Sequence, residues 1–157
     1  MKTLVLGYGN CSRTDDGVGW FVVERLRELA PPGVEFLTSH QLDVDHAEAI
    51  SRFDNVIFVD AAVPQSPKPV TETAVQPRFQ SHAVAHYLTA ADLVSLSDTL
   101  YGHVPRAFLF SIRGQDFGFG TELSAATKRW GLEAVHKIER LLTNLQHPQT
   151  KPEEVAG

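Results

Sequence analysis

Two short stretches of this chain are built to be buried on both sides. Lys2-Thr3-Leu4-Val5-Leu6 is a β-branched and aliphatic run that stops at Gly7, and Val56-Ile57-Phe58-Val59 is the most apolar tetrad in the sequence and stops at Asp60. Neither alternates apolar with polar residues, as a strand with one wet face would, so each reads as an interior strand of a parallel sheet covered by helices on both faces. Helical periodicity supplies the cover. From Gly17 the apolar residues recur as Val18, Val22, Leu26 and Leu29, one face of a helix, until Pro31-Pro32-Gly33 breaks the chain.

The remaining segments follow the same alternation. Val34 to Leu37 predicts a second strand and Asp45 to Arg52 a short helix. Val70 to Val75 alternates as a short edge strand, with Pro77 just beyond it. Ala90 to Leu100 predicts a helix, Phe108 to Ile112 a buried strand, and Leu132 to Leu145 a final helix with Leu132, Val135, Ile138, Leu142 and Leu145 on one face. The expected architecture is α/β, a three-layer α/β/α sandwich around a mainly parallel, roughly five-stranded mixed sheet with one antiparallel edge. Residues 1–145 form the expected single domain. The tail from Gln146 is polar, carries Pro148 and Pro152, and is expected to be mobile.

Composition bounds the partners. The 157 residues, 43% of them hydrophobic, suffice for one core without disulfides or structural metal. Fourteen Lys and Arg stand against 19 Asp and Glu, for a net charge of −5, and no basic run exceeds two residues, which argues against a nucleic-acid ligand. No apolar run approaches the roughly 18–20 residues of a membrane span. The single cysteine, Cys11, and the lack of a charged-then-apolar leader lead us to expect a reducing, cytoplasmic setting.

In such sheets the ligand crevice opens at the carboxyl ends of the strands, where strand order reverses. Three features fall there. Gly7-Tyr8-Gly9-Asn10 begins like a dinucleotide fingerprint but has Ser12 where the third glycine belongs, so it reads better as a tight turn in which glycines let backbones approach. Asp15-Asp16 precedes Gly17-Val18-Gly19, and one of the pair is expected to cap the first helix. Asp60 ends the apolar tetrad, where a carboxylate must find donors, a metal or water. His86, four residues before the helix at Ala90, completes an Asp/Asp/His set of the kind that suits nickel, zinc or iron, with His82 its near competitor. His40, His46, His103, His136 and His147 have no partner at ligand spacing. HExxH, CxxC and GxSxG are all missing, and no histidine is fixed near Cys11, which reads as a bystander or buried thiol rather than a nucleophile.

Taken together, Leu4-Val5-Leu6-Gly7-Tyr8-Gly9-Asn10, Thr14-Asp15-Asp16-Gly17-Val18-Gly19 and Val59-Asp60-Ala61 closely resemble the NiFe-hydrogenase maturation endopeptidases. His86-Tyr87-Leu88-Thr89-Ala90-Ala91-Asp92-Leu93 is similar to that family's histidine and following helix, and Asp116-Phe117-Gly118-Phe119-Gly120 with Leu123-Ser124 to its loop into the last helix. The resemblance implies a protease that removes a carboxy-terminal extension from the hydrogenase large-subunit precursor after nickel insertion. It implies Asp16, Asp60 and His86 as metal ligands, Asp16 and Asp60 as the catalytic carboxylates, and nickel that belongs to the precursor and serves as its recognition signal. No nucleotide cofactor is expected. One departure is Thr38-Ser39-His40-Gln41-Leu42, where many members are glycine-rich; it resembles the branch serving bidirectional or NAD-linked hydrogenases. His40 is either a precursor contact or a residue of the helix approach, and Phe117 and Phe119 either grip the peptide or cover the core.

Two other readings stand beside this one. Peptidyl-tRNA hydrolase also opens with a strand and a Gly-x-Gly-Asn turn, but Asn10 is followed here by Cys11-Ser12 rather than Pro-Gly, and no later stretch resembles its histidine motif. A non-enzymatic nucleotide-binding domain would make Asp16 a cap and Asp60 a turn residue. It leaves unexplained why both acids fall at strand carboxyl ends on one side of the sheet.

Overall fold

The computed structural model of the protein describes residues 1–78 and 88–147. Five strands, β1 (Thr3–Tyr8), β2 (Val34–Ser39), β3 (Asn55–Ala62), β4 (Val70–Val75) and β5 (Arg106–Arg113), make one sheet in the order β2-β1-β3-β5-β4. The pairs β1·β2, β1·β3 and β3·β5 are parallel, and β4 runs antiparallel on β5 at the edge. The expected mixed sheet with one antiparallel edge strand is therefore present. Helices α1 (Val18–Glu28) and α4 (Ala125–Gln146) cover one face, and α2 (Asp45–Ile50) and α3 (Ala90–Tyr101) the other.

The interior strands are apolar on both sides because they feed two cores. On the α1–α4 face Val5, Ile57, Val59, Phe108, Phe110 and Ile112 pack with Val22, Leu26, Ile138 and Leu142. On the opposite face Leu4, Leu6, Val56, Phe58 and Ala107 pack with Ile50, Leu93 and Val94. Each large side chain buried in this way stabilises the fold by about 1.5–3 kcal/mol relative to leaving it in water.

Two boundaries differ from the sequence expectation. β3 does not stop at Asp60: its pairing with β5 continues through Ala62↔Arg113, so the acid lies inside the ladder, two residues before its end. Backbone pairing outlasts the apolar pattern that signalled the strand. The last helix starts at Ala125 rather than Leu132, with Ser124 at its N-cap accepting from the Thr127 N–H at 3.4 Å. Its first turns are buried through Thr127, whose hydroxyl donates to the Arg113 carbonyl at 2.9 Å, and Gly131, which faces the Phe21 ring, so they carry no apolar periodicity to read. By contrast α3 begins at Ala90 as expected. Thr89 and Asp92 form a reciprocal capping box at its start, and Gly102, with φ +68°, closes its end.

The chain runs from β1 outward to β2, then crosses back to β3 on the other side of β1. Strand order thus reverses between β1 and β3, and a crevice opens above their carboxyl ends. No helix among the described residues is long and apolar enough to cross a membrane.

Candidate active site

Above the β1/β3 boundary lies a cleft of about 410 Å³ whose wall includes Tyr8, Gly9 and Asn10 from the end of β1, Arg13 and Asp16 from the following loop, His40 after β2, and Asp60 with Ala61 on β3. Leu88, just before α3, also lines it. The sequence expected Asp16, Asp60 and His86 to meet at the crevice with His40 near it; Asp16, Asp60 and His40 all line this cleft.

The loop after β1 is held by close backbone contact. Gly9 has φ +148°, and a Cβ there would stand 2.0 Å from the Asp16 carbonyl oxygen, so only glycine fits. Asp16 in turn accepts the Asn10 N–H on its Oδ2 at 2.7 Å. The Trp20 indole N–H reaches both the Gly9 carbonyl, at 3.0 Å, and the Ser39 carbonyl, at 3.2 Å, and so ties this turn to the end of β2. The glycines are thus a tight-turn and close-packing device, as the stronger of the two sequence readings had it.

Neither acid of the Asp15-Asp16 pair caps α1. A 3-10 turn, Thr14–Gly17, runs directly into the helix, its Asp15 carbonyl accepts the Val18 N–H, and Gly17 occupies the cap position without a side-chain bond. Asp15 instead points into the protein, fully buried, and accepts from the Gln115 N–H at 2.8 Å, the Asp116 N–H at 3.0 Å, the Ser124 N–H at 2.7 Å and the Ser124 hydroxyl at 2.8 Å. Burial pushes its carboxyl up, but bonds from Asp116, Gln115 and Ser124 outweigh that and hold it below its ordinary value. The two neighbours have divided the work: Asp15 fastens the loop before α4, and Asp16 faces the cleft.

Asp60 stands between two hydroxyls. Ser111 donates to its Oδ1 at 2.6 Å and Tyr8 to its Oδ2 at 3.1 Å. Burial lifts Asp60 to about 6; the Ser111 and Tyr8 bonds pull the other way, and the Asp16 charge adds to the rise. Burial, then the Asp60 charge and hydrogen bond, push the Tyr8 phenol far above its ordinary value, which keeps it a donor. Two carboxylates that repel one another across an open cleft are a good place for a cation or for proton transfer.

Tyr8 and Ser111 were not singled out from sequence as site residues. A lone hydroxyl inside the apolar run Phe108 to Ile112 was the available signal for Ser111. Arg13 was also missed; it lines the cleft with its guanidinium 4.0 Å from the centre of the Phe119 ring.

The other expected residues fare differently. His86 and His82 lie outside the described residues. Among the described residues no group of three or more His, Cys, Asp or Glu is arranged to hold a metal, so the described wall contributes a carboxylate pair and not a full set. Phe119 is 84% exposed, whereas Phe117 is half-buried with its ring against Gly114, where a Cβ would meet it at 2.4 Å. Phe119 is thus open to solvent, and Phe117 is partly so. Cys11 is exposed, and partial burial first and the Asp16 charge second push its thiol up, away from the reactive thiolate.

No protein-family model matches the chain. It is 31% identical over 102 residues to the hydrogenase 2 maturation protease of Escherichia coli K12, a stretch covering 60% of this chain and 62% of that protein, somewhat under two thirds of its length. The fold is similar to a NiFe hydrogenase maturation protease, HycI, from Thermococcus kodakarensis KOD1, with TM-score 0.71 and 26% identity over 91% of this chain and 93% of the other. It is also similar to the hydrogenase maturating endopeptidase HybD from Escherichia coli, with TM-score 0.77 and 22% identity over 92% of this chain and 93% of that one. Shared architecture along nine-tenths of the chain, together with sequence identity through most of it, makes the chain similar in both fold and sequence to the NiFe-hydrogenase maturation proteases.

Proposed function

We propose that this protein is an endopeptidase that removes the carboxy-terminal extension of a NiFe-hydrogenase large-subunit precursor, and that it recognises the precursor through nickel already inserted there. The observation that carries the reading is the pair Asp16 and Asp60 on the wall of one cleft at the strand-order reversal. Carboxylate oxygens, joined by an imidazole, form a donor set that suits nickel while leaving positions for ligands from the substrate. His86 is the proposed third donor, in keeping with Leu88, two residues on, lining the same cleft. His40, Phe117 and the exposed Phe119 are the proposed precursor contacts, and the enzyme is proposed to act in the cytoplasm, without a nucleotide cofactor, on a bidirectional or NAD-linked hydrogenase.

The chemistry asked of the chain is positional. Nickel carried by the precursor supplies Lewis acidity beside the scissile peptide bond. Asp16, fixed by the Asn10 N–H, and Asp60, fixed by Ser111 and Tyr8, bind that end of the precursor and hold the bond over the cleft. Either carboxylate stands where it can relay a proton from an attacking water to the leaving amine. Requiring the substrate's own metal to complete the donor set rejects empty precursor, because without it the two carboxylates face each other uncompensated.

Mixing the protein with nickel-loaded cognate precursor and following the precursor's mass tests this. We expect loss of one carboxy-terminal peptide with loaded precursor only, and a rate roughly 10²–10⁴-fold lower with Asp16→Asn. Equal cleavage of nickel-free precursor would remove the recognition step, and no cleavage of a loaded cognate precursor would remove the protease assignment.

A further inference from the structure

The sheet puts a row of three polar side chains across its middle. In the parallel register Asp60 on β3 pairs with Ser111 on β5, and Gly7↔Val59 brings Tyr8, the next residue of β1, beside Asp60. Side chains alternate between faces, so the columns Leu4-Leu6-Tyr8, Val56-Phe58-Asp60 and Ala107-Leu109-Ser111 share the α2–α3 face. Each column is apolar until its last member, and the three polar ends stand side by side, Tyr8 and Asp60 lining the cleft and Ser111 bonded to Asp60.

We propose that Tyr8 and Ser111 are positioning residues that fix the Asp60 carboxylate for the metal-bearing end of its substrate. The proposal rests on the endopeptidase reading. Asp60 has two torsions, and two hydroxyls bound to its two oxygens from opposite neighbouring strands hold both. Each oxygen keeps a lone pair for the cleft, so fixation does not block ligation. Both donors sit on rigid interior strands, so their positions are set by the ladder and not by a loop.

The test separates the hydroxyl from the space it fills. Ser111→Thr keeps the Oγ donor, whereas Ser111→Val has nearly the same shape and none; Tyr8→Phe removes the second donor. With nickel-loaded precursor we expect Ser111→Val and Tyr8→Phe to lower kcat/KM by roughly 10–100-fold, and Ser111→Thr to recover most of the activity lost in Ser111→Val. Nickel affinity of each purified protein, measured by calorimetry without precursor, should follow the same order, and the thermal midpoint confirms that each variant is folded. Equal kcat/KM and equal nickel affinity for Ser111→Thr and Ser111→Val, with Tyr8→Phe like wild type, would overturn the proposal. An inactive wild type would instead strike the endopeptidase reading, and the nickel affinities of the Thr and Val pair would then decide the positioning role alone.

Discussion

Asp60 carries charge where the fold resists it. Its carboxyl rises from 3.8 to about 6, chiefly through burial. A group whose folded pKa is raised favours the folded state while protonated, so its contribution is fully present below about pH 4 and is lost as pH rises through about 6. Above that, holding the charge costs on the order of 2 kcal/mol, the open cleft screening part of the shift. We therefore expect Asp60→Asn to resist urea better than wild type by about 2 kcal/mol at pH 8, with the advantage gone by pH 4, while cleavage is lost. Urea titrations at the two pH values check it; equal stability at pH 8 would mean that the site stores no such strain. Asp15, next to Asp16 in sequence, behaves in the opposite sense: its lowered carboxyl stabilises the fold above the unfolded value near 3.8, and that contribution fades as pH falls through the folded one. Spacing alone left these two acids equivalent, since what distinguishes them is which one meets Gln115, Asp116 and Ser124, a hundred residues away.

The elements around the site are joined more by hydrogen bonds than by apolar contact. Asp15 holds the loop that leads into α4, the Thr14 hydroxyl donates to the Gly118 carbonyl at 2.7 Å, and backbone bonds join Thr14 to Gly120 and Gly120 to Ser12. Removing the Asp15 side chain leaves three backbone N–H groups and a hydroxyl without their acceptor. Asp15→Ala should cost about 3–5 kcal/mol by chemical denaturation, and Asp15→Asn less, since one carbonyl oxygen survives. Hydrogen exchange should place the new mobility in residues 114–124; unchanged exchange there would disprove the fastening role. This level was partly legible beforehand. Strand β4 follows from local alternation and the start of α3 from its helical pattern. The true start of α4 and the last two residues of β3 were hidden, because Thr127 and Gly131 bury without being large and apolar, and Ala61-Ala62 pair by backbone alone. The partners of Asp60 were hidden for a third reason: a register match between strands about fifty residues apart leaves no mark on either segment.

For the whole molecule, the sheet is an insulator between two cores. Ile138 belongs to the α1–α4 side and Ile50 to the α2–α3 side, and both are fully buried. Ile138→Val and Ile50→Val should each cost about 0.5–1.5 kcal/mol, and the double variant should equal their sum within roughly 0.5 kcal/mol. A larger departure would show that strain passes through the sheet. The cleft sits at the end of the strands, where the apolar layer on the α2–α3 face gives out, leaving Tyr8, Asp60 and Ser111 on that side and the loop that carries Asp16 above. That loop is closed by residues about a hundred positions further along the chain. While the protein is being synthesised, both acids leave the ribosome well before their partners, because Ser111 and the Gln115–Ser124 clasp follow Asp60 by some fifty to sixty residues. A nascent chain therefore holds its two carboxylates long before it holds them still.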